Sequence, residues 1–189
     1  MMRMFASIVR PPTRFLILAT CAVLAASMRT QAAPAAQSSL EQAVKASFLV
    51  KFAPFVEWPN SVFGTDARTF VICVSGSDPF GPVLDDVVRG QKIAGRPVLI
   101  RRIGESSNIS NCHMLFAGRS ADPGYAPFTA VSGQPVLTVS DTGSGVRGAM
   151  IQLVMQSGRV RFQIDDGTAR ANGLVISSKL LGLAVKVDR

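Results

Sequence analysis

A strand–helix–strand pattern between residues 69 and 103 constrains the fold of this chain more than any other feature. Residues 69–75 and 97–103 are short apolar runs rich in β-branched side chains, which is typical of strands. Between them, apolar residues recur at helical spacing over residues 83–88. Because a right-handed crossover sets such strands side by side, the pattern predicts a parallel or mixed sheet with helices on its faces.

Helix boundaries are predicted from capping residues and apolar spacing. Residues 40–55 are predicted to form a helix that Ser38 or Ser39 caps. Its apolar stripe repeats every four residues and consists of Leu40, Val44, Phe48 and Phe52. In the crossover, Asp78 is expected to cap the second helix, with Pro79 in its first turn.

The C-terminal half contains the clearest hairpin in the sequence. Residues 149–156 and 159–165 alternate between apolar and polar side chains, and Ser157 and Gly158 join them. The other predicted elements are short strands and helices: residues 112–117, residues 136–139 and two helical segments within 166–187. The predicted fold is therefore a single α/β domain, with a mixed, mostly parallel sheet flanked by helices and a β-hairpin in its C-terminal half.

The N-terminus has the order of a secretory signal peptide. A basic segment without acidic residues precedes an apolar run of about twelve residues, and small residues follow. A helix that spans a membrane needs about 20 apolar residues, so this run is too short to serve as one. We therefore assign residues 1–35 to a signal peptide and residues 36–189 to an exported domain, and we expect no membrane span in that domain.

The charge of the exported domain argues against nucleic-acid binding. The whole chain has a formal net charge of +8, and half of that charge comes from four arginines in the leader. The remaining charges are scattered, and Arg101 and Arg102 form the only basic doublet. Because a nucleic-acid binder concentrates its basic residues on one face, we expect no nucleic-acid partner.

Two cysteines, Cys73 and Cys112, remain after the leader is removed. An even number of cysteines in an oxidising compartment favours a disulfide, although two buried free thiols are the alternative. A disulfide here would close a loop of about 40 residues and add about 4 kcal/mol of stability in the chain-entropy model.

The sequence offers few groups that could perform catalysis. His113 is the only histidine and lies directly beside Cys112 on a predicted strand, so the two side chains point to opposite faces. One histidine and two paired cysteines are too few for a typical zinc site. The adjacent carboxylates at 85–86 and 165–166 are better explained as caps and surface charges, because acid–base pairs converge on one cavity. We expect no enzyme activity, no cofactor and no metal.

A glycine motif resembles a nucleotide-binding loop in letters only. Gly143, Gly145 and Gly148 match G-x-G-x-x-G and follow a predicted strand. Dinucleotide binding also requires a helix after the glycines, because its N-terminal N–H groups hold the pyrophosphate. The predicted hairpin follows instead, so we interpret the glycines as a flexible connection.

Three aromatic residues, Phe52, Phe55 and Trp58, lie within the eight residues 52–59 at the end of the first helix, a segment that also contains two prolines. One interpretation is that these side chains pack in the hydrophobic core under the sheet. The alternative is an interaction surface, for which we choose Phe55, Val56 and Trp58 as partner-binding residues.

Several segments match a known family in order and spacing. They lie at residues 46–59, 71–74 with 77–81, 112–116, 136–141, 148–165 and 176–181. Together they resemble the YfiR family of exported proteins over about residues 40–187. The resemblance implies a periplasmic protein that binds the periplasmic part of a membrane-anchored diguanylate cyclase and represses it, which lowers cyclic di-GMP signalling and restrains biofilm formation. Cys73 and Cys112 match the disulfide positions of the family.

The resemblance also allows a homodimer and a small-molecule ligand. An alternative function is a periplasmic sensor module that binds a small molecule and acts on a different membrane sensor, such as a histidine kinase. Both functions require binding of a partner rather than chemistry on a substrate.

Overall fold

The computed structural model describes residues 33–63, 68–105 and 109–189, with side chains from residue 38 onward. The signal peptide predicted at residues 1–35 lies outside the residues whose side chains are described, so its boundary stays a prediction. In the part of the chain that is described, no helix is both long and apolar enough to cross a membrane.

The described residues form four α-helices, ten strands and short 3₁₀ helices. The α-helices are α1 Ala33–Phe52, α2 Pro82–Val88, α3 Asp166–Ala171 and α4 Ser178–Leu181. The strands are β1 Val56–Glu57, β2 Phe70–Ser75, β3 Lys92–Ile93, β4 Arg96–Ile103, β5 Met114–Ala117, β6 Leu137–Asp141, β7 Ile151–Gln156, β8 Arg159–Asp165, β9 Val175–Ile176 and β10 Lys186–Asp188. Short 3₁₀ helices lie at Ala53–Phe55, Asn60–Phe63, Thr129–Val131 and Thr142–Ser144.

One mostly parallel sheet organises these elements. Its eight strands have the order β10–β8–β7–β6–β5–β2–β4–β3, and β1 pairs with β9 in a separate two-stranded ribbon. The strands β4, β2, β5, β6 and β7 are mutually parallel, whereas β7 with β8 and β3 with β4 are antiparallel. The predicted α/β fold with a mostly parallel sheet and a C-terminal-half hairpin is therefore confirmed. Strands β2 and β4 are neighbours, as the crossover predicts, and β5 lies on the other side of β2.

The sheet buries both of its faces, but unequally. Along β2, Phe70, Ile72 and Val74 point into a large core that α1 and α2 also line. The alternate residues Val71 and Cys73 point into a small core on the opposite face. The segment between β5 and β6 covers the small core through Phe128, Val131 and Val136 rather than through an α-helix.

The apolar stripe predicted for the first helix is only partly correct. Leu40 is 65% exposed, whereas Phe52 is 1% exposed. A strict repeat of four drifts around a helix of 3.6 residues per turn, so these two residues point in directions about 120° apart. The face that enters the large core is formed by Ala46, Leu49, Val50 and Phe52. Neither serine caps the helix, because α1 begins before them at Ala33.

The crossover helix also begins later than predicted. Gly81, with a φ of 52°, stands at the N-cap of α2, and Pro82 occupies the first turn in place of Pro79. The Asp78 carboxylate instead accepts a hydrogen bond from the Phe80 N–H at 2.7 Å and pairs with Arg102. Asp78 therefore caps the turn that precedes the helix.

Strands β7 and β8 form the predicted hairpin with the predicted turn. Ser157 and Gly158 both have positive φ, 50° and 72°, which matches the twist of a two-residue hairpin turn. Leu153 and Phe162 lie opposite each other and are buried, whereas Met155 near the tip is 45% exposed. After the hairpin, the second predicted helix ends at Leu181, and the chain returns to the sheet as β10 beside β8.

Candidate functional site

A disulfide links strand β2 to the residues just before β5, its neighbour in the sheet. Cys73 lies within β2, and Cys112 lies two residues before β5. The sulfurs are bonded, with the Cα atoms 5.8 Å apart, as the adjacency of β2 and β5 allows. Both residues are buried in the small core, so the bond fastens the sheet from within.

Arg101 covers this disulfide. It is the register partner of Cys73 on β4, so its side chain points to the same face of the sheet. Its Nη2 lies 3.1 Å from Cys112 Sγ and 3.4 Å from Cys73 Sγ, and it also donates to the Ser110 carbonyl. The guanidinium therefore closes the side of the bond that the apolar residues of the small core leave uncovered.

Directly after the disulfide, a stack of rings occupies the amino-terminal ends of β2 and β5. The His113 imidazole stacks on both Phe63 and Phe70, with centroid distances of 5.2 and 4.9 Å, and the two phenyl rings lie 6.5 Å from each other. Trp58 meets Phe70 edge-on at 5.2 Å. The Arg96 guanidinium lies 4.1 Å from the centre of the Phe63 ring. We call these five side chains the ring stack.

Hydrogen bonding fixes the protonation of His113. The Val71 N–H donates to Nδ1 at 3.0 Å, so Nδ1 carries a lone pair and the proton of the neutral ring is on Nε2. His113 is only 4% exposed. Its burial lowers its pKa below the ordinary value of 6.5, and the positive charge of Arg96 lowers it further.

The proposed partner-binding residues lie at the edge of the large core. Val56 is buried and pairs with Ile176 across the β1–β9 ribbon. Phe55 and Trp58 are half-buried and pack against the large core. The Trp58 Nε1 atom is buried and has no hydrogen-bond partner in the described part of the chain. The geometry thus gives Trp58 both a packing function and an unused donor, and its role in partner binding stays a prediction.

The carboxylates singled out in the sequence make local contacts. Asp85 pairs with Arg102 at 2.8 Å, and this hydrogen bond holds the pKa of Asp85 below its ordinary value. Asp165 caps α3 by accepting from the Thr168 N–H, and Asp166 pairs with Arg170. Among the described residues, no three histidine, cysteine or acidic side chains are grouped as metal ligands would be.

The glycine motif lines a cleft at the opposite end of the sheet. Thr142–Ser144 forms a single 3₁₀ turn, and β7 follows without an intervening helix. The cleft lies at the carboxyl ends of β2, β5 and β6 and has a volume of about 280 Å³. Its lining includes Glu41, Lys45, Ser77, Arg119 and Asp141.

A buried lysine at this cleft is absent from the residues singled out in the sequence. Lys45 is 9% exposed and forms ion pairs with Glu41 and Asp141. Burial alone would lower the pKa of Lys45, but hydrogen bonds to the two carboxylates raise it above 10.5. The spacing of Glu41 and Lys45, four residues apart on one helix, is a sequence signal for the first of these pairs. Asp141 has no such signal, because only the folded sheet brings it to α1.

Fold and site together define a disulfide-bonded α/β domain whose notable side chains pack and pair rather than converge on a reacting group. The YfiR/HmsC-like family model matches residues 42–185, which is most of the chain, so this protein belongs to the YfiR/HmsC-like family. This is a family of periplasmic regulators rather than of catalysts. A search among curated proteins found no match.

Proposed function

We propose that this protein is a periplasmic repressor that binds the periplasmic part of a membrane-anchored diguanylate cyclase and lowers cyclic di-GMP production. The observation that carries the proposal is the family match over residues 42–185, which covers nearly the whole predicted exported domain. The disulfide between Cys73 and Cys112 agrees with an oxidising compartment.

Repression requires only that the protein bind one state of the cyclase better than the other. A domain fastened by a disulfide and a continuous eight-stranded sheet suits this function, because a rigid surface loses little entropy on binding. The Phe55, Val56 and Trp58 segment is the surface we assign to the partner. Tryptophan is enriched among residues that dominate binding energy, and the described residues offer no acceptor to the Trp58 N–H.

Deleting the gene tests the function itself. We expect intracellular cyclic di-GMP and biofilm mass to rise in the deletion strain and to return when the wild-type chain is supplied. A cyclase should co-purify from detergent-solubilised membranes with a tagged copy of the protein. Unchanged cyclic di-GMP, with no cyclase among the captured proteins, would contradict the proposal.

Replacing Trp58 by Ala tests the surface. We expect affinity for the captured cyclase to fall about tenfold or more, as for a central aromatic residue in an interface. Because Trp58 also packs against Phe70, stability will fall as well, so binding must be measured at a temperature where the variant is folded. Leu183→Ala is the matched control, since Leu183 is 65% exposed and lies outside the assigned segment. Equal affinities of folded Trp58→Ala and wild type would exclude this segment.

A second function is favoured by the cleft at the carboxyl ends of the parallel strands. Open α/β sheets bind ligands where the connections of adjacent strands diverge, and those of β2 and β5 lead to opposite sides of the sheet. The cleft suits a sensor module that binds a small molecule and acts on another membrane protein, such as a histidine kinase. Capture of a kinase in place of a cyclase from membranes would favour this function over repression.

A further inference from the structure

The only histidine and the only tryptophan of the chain belong to the same ring stack. Phe70 is the ring that joins them, because both Trp58 and His113 contact it. Phe70 is fully buried at the start of β2, so a change at His113 reaches Trp58 through one shared neighbour.

His113 also forms two hydrogen bonds with Val71 where the pairing of β2 and β5 begins. The Val71 N–H donates to His113 Nδ1 at 3.0 Å, and the His113 backbone N–H donates to the Val71 carbonyl at 2.9 Å. The first of these bonds exists only while Nδ1 has a lone pair. An imidazolium carries protons on both nitrogens, so its Nδ1 can no longer accept the hydrogen bond from the Val71 N–H.

Among the described residues no carboxylate shifts the pKa of His113, and the hydrogen bond to the Val71 backbone, which raises this pKa, is outweighed by burial and by Arg96, which lower it. The 3₁₀ helix Asn60–Phe63 contributes Phe63, and β2 contributes Phe70 and Val71, none of which titrates. Strand β6 contributes the Leu137 N–H, which donates to the His113 carbonyl, and the neighbouring Cys112 is bonded to Cys73. Strand β4 contributes Arg96, whose positive charge is already placed against Phe63.

We propose that His113 is a proton-sensitive switch, which we call the pin. The neutral ring holds the ring stack together; when the ring takes up a proton, the stack loosens and the Phe55–Trp58 segment leaves its position against Phe70. The order of events follows from the contacts. Protonation removes the bond from Val71, repulsion from Arg96 weakens the stacking of the ring on Phe63 and Phe70, and Trp58 loses the fixed surface against which it packs. A fall in pH therefore changes the position of the segment that we assign to partner binding. That this change regulates binding rests on the proposed function.

The two single residues provide reporters without labels. Nuclear magnetic resonance of the purified exported protein follows the titration of His113, and acrylamide quenching of fluorescence follows the exposure of Trp58, both between about pH 8 and about pH 5. We expect quenching to increase as the pH falls, with a midpoint equal to that of His113 and below the ordinary histidine value of 6.5. Titration of His113 with unchanged quenching, or a His113 midpoint at or above 6.5, would overturn the proposal.

Two variants separate the pin from a general effect of acid. His113→Gln keeps a side-chain acceptor for Val71 but cannot titrate, so quenching should become independent of pH. Arg96→Gln keeps His113 but removes the nearby positive charge, so both midpoints should move upward together. If His113→Gln does not fold, two results still test the proposal: whether the midpoints of His113 titration and Trp58 quenching coincide in the wild type, and whether both shift in Arg96→Gln. An equal acid response in folded His113→Gln would overturn the pin.

Binding to the cyclase distinguishes the pin from the proposed function. The fluorescence experiment needs no partner, so a pH-dependent Trp58 supports the pin even if no cyclase binds. If a cyclase binds with the same affinity on both sides of the His113 midpoint, the function stands and the pin has no regulatory role. An affinity that changes at that midpoint in the wild type, but not in His113→Gln, supports both.

Discussion

The two ends of the central parallel strands are held by different interactions. At the amino-terminal ends of β2 and β5, a disulfide lies behind a stack of rings that includes a titratable imidazole and an unused indole N–H. At the carboxyl ends, the backbones of the two loops lock together. The Ser77 N–H donates to the Arg119 carbonyl, and the Gly118 N–H donates to the Ser75 carbonyl.

We therefore distinguish a fixed end, the carboxyl ends of β2 and β5, from an adjustable end, their amino-terminal ends. A Cβ on Gly118 would lie 1.8 Å from the Ser77 carbonyl oxygen, so the contact between these two loops has no space for even one added atom. The ring stack, in contrast, is joined by contacts of 4.9–5.2 Å between rings that can slide, and by one side-chain hydrogen bond that a proton can remove. We therefore expect regulation to act at the amino end and mutations at the carboxyl end to act on stability.

Removing the disulfide should have the largest effect on the amino end. The double variant Cys73→Ala, Cys112→Ala is expected to lose about 4 kcal/mol of unfolding free energy, because a loop of about 40 residues is released in the unfolded chain. Urea titration of the exported protein measures this loss. Thiol labelling of the denatured wild type should find no free cysteine. Two labelled thiols, or a variant as stable as the wild type, would contradict the disulfide's role and leave the ring stack as the main fastening of this end.

At the carboxyl end, Gly118→Ala should cost about 3 kcal/mol, in the range of severe overpacking. The added Cβ meets backbone atoms of Ser77, which cannot move without breaking the hydrogen bonds between the two loops. Gly182→Ala is the matched control, since Gly182 has a φ of −67° and its nearest neighbour would lie at an ordinary 3.4 Å. Urea titration should find the control within about 0.5 kcal/mol of the wild type. Similar stabilities of the two variants would show that the carboxyl end is adjustable after all.

Local sequence patterns predicted the elements at the centre of the sheet. Strands β2 and β4 and the β7–β8 hairpin have the β-branched or alternating residues that their buried positions require. Strand β10 has no such pattern, since Lys186, Val187 and Asp188 form a strand only because β8 offers an unpaired edge. The β1–β9 ribbon also lacks a local pattern, because its two strands are short and far apart in the sequence.

The candidate site was less predictable than the fold. The sequence identified the two cysteines and the isolated histidine, but it could not place His113 against Phe63 and Phe70, which lie far before it in the sequence. Lys45 was missed because a lysine in an amphipathic helix is ordinarily exposed. Its burial is possible only because Asp141, at the end of β6, supplies a second carboxylate.

Replacing Lys45 by Met tests how much the ion pairs contribute to the fixed end, and its effect should be the smallest of the three. We expect a loss of about 2 kcal/mol, less than for a fully buried pair because Glu41 retains 35% side-chain exposure and water screens its charge. The methionine fills a similar volume, so the loss reports on Glu41 and Asp141 left without their cation. Since the pKa of Lys45 in the folded protein is raised above 10.5, its contribution is complete below that value and is lost only as the pH rises through the raised value. The difference in urea stability between Lys45→Met and wild type should therefore be the same at about pH 7 and about pH 9.

Lys51→Met on the same helix provides the matched control. Lys51 is exposed in the last turn of α1, so its replacement should change the unfolding free energy by no more than about 0.5 kcal/mol. A loss for Lys45→Met no larger than this control would mean that the ion pairs contribute nothing measurable. The backbone contacts between the loops would then fix the carboxyl end alone. A loss that disappears between about pH 7 and about pH 9 would instead show that Lys45 releases its proton near neutrality. In that case titratable groups would control both ends of the sheet, and the contrast between a fixed and an adjustable end would fail.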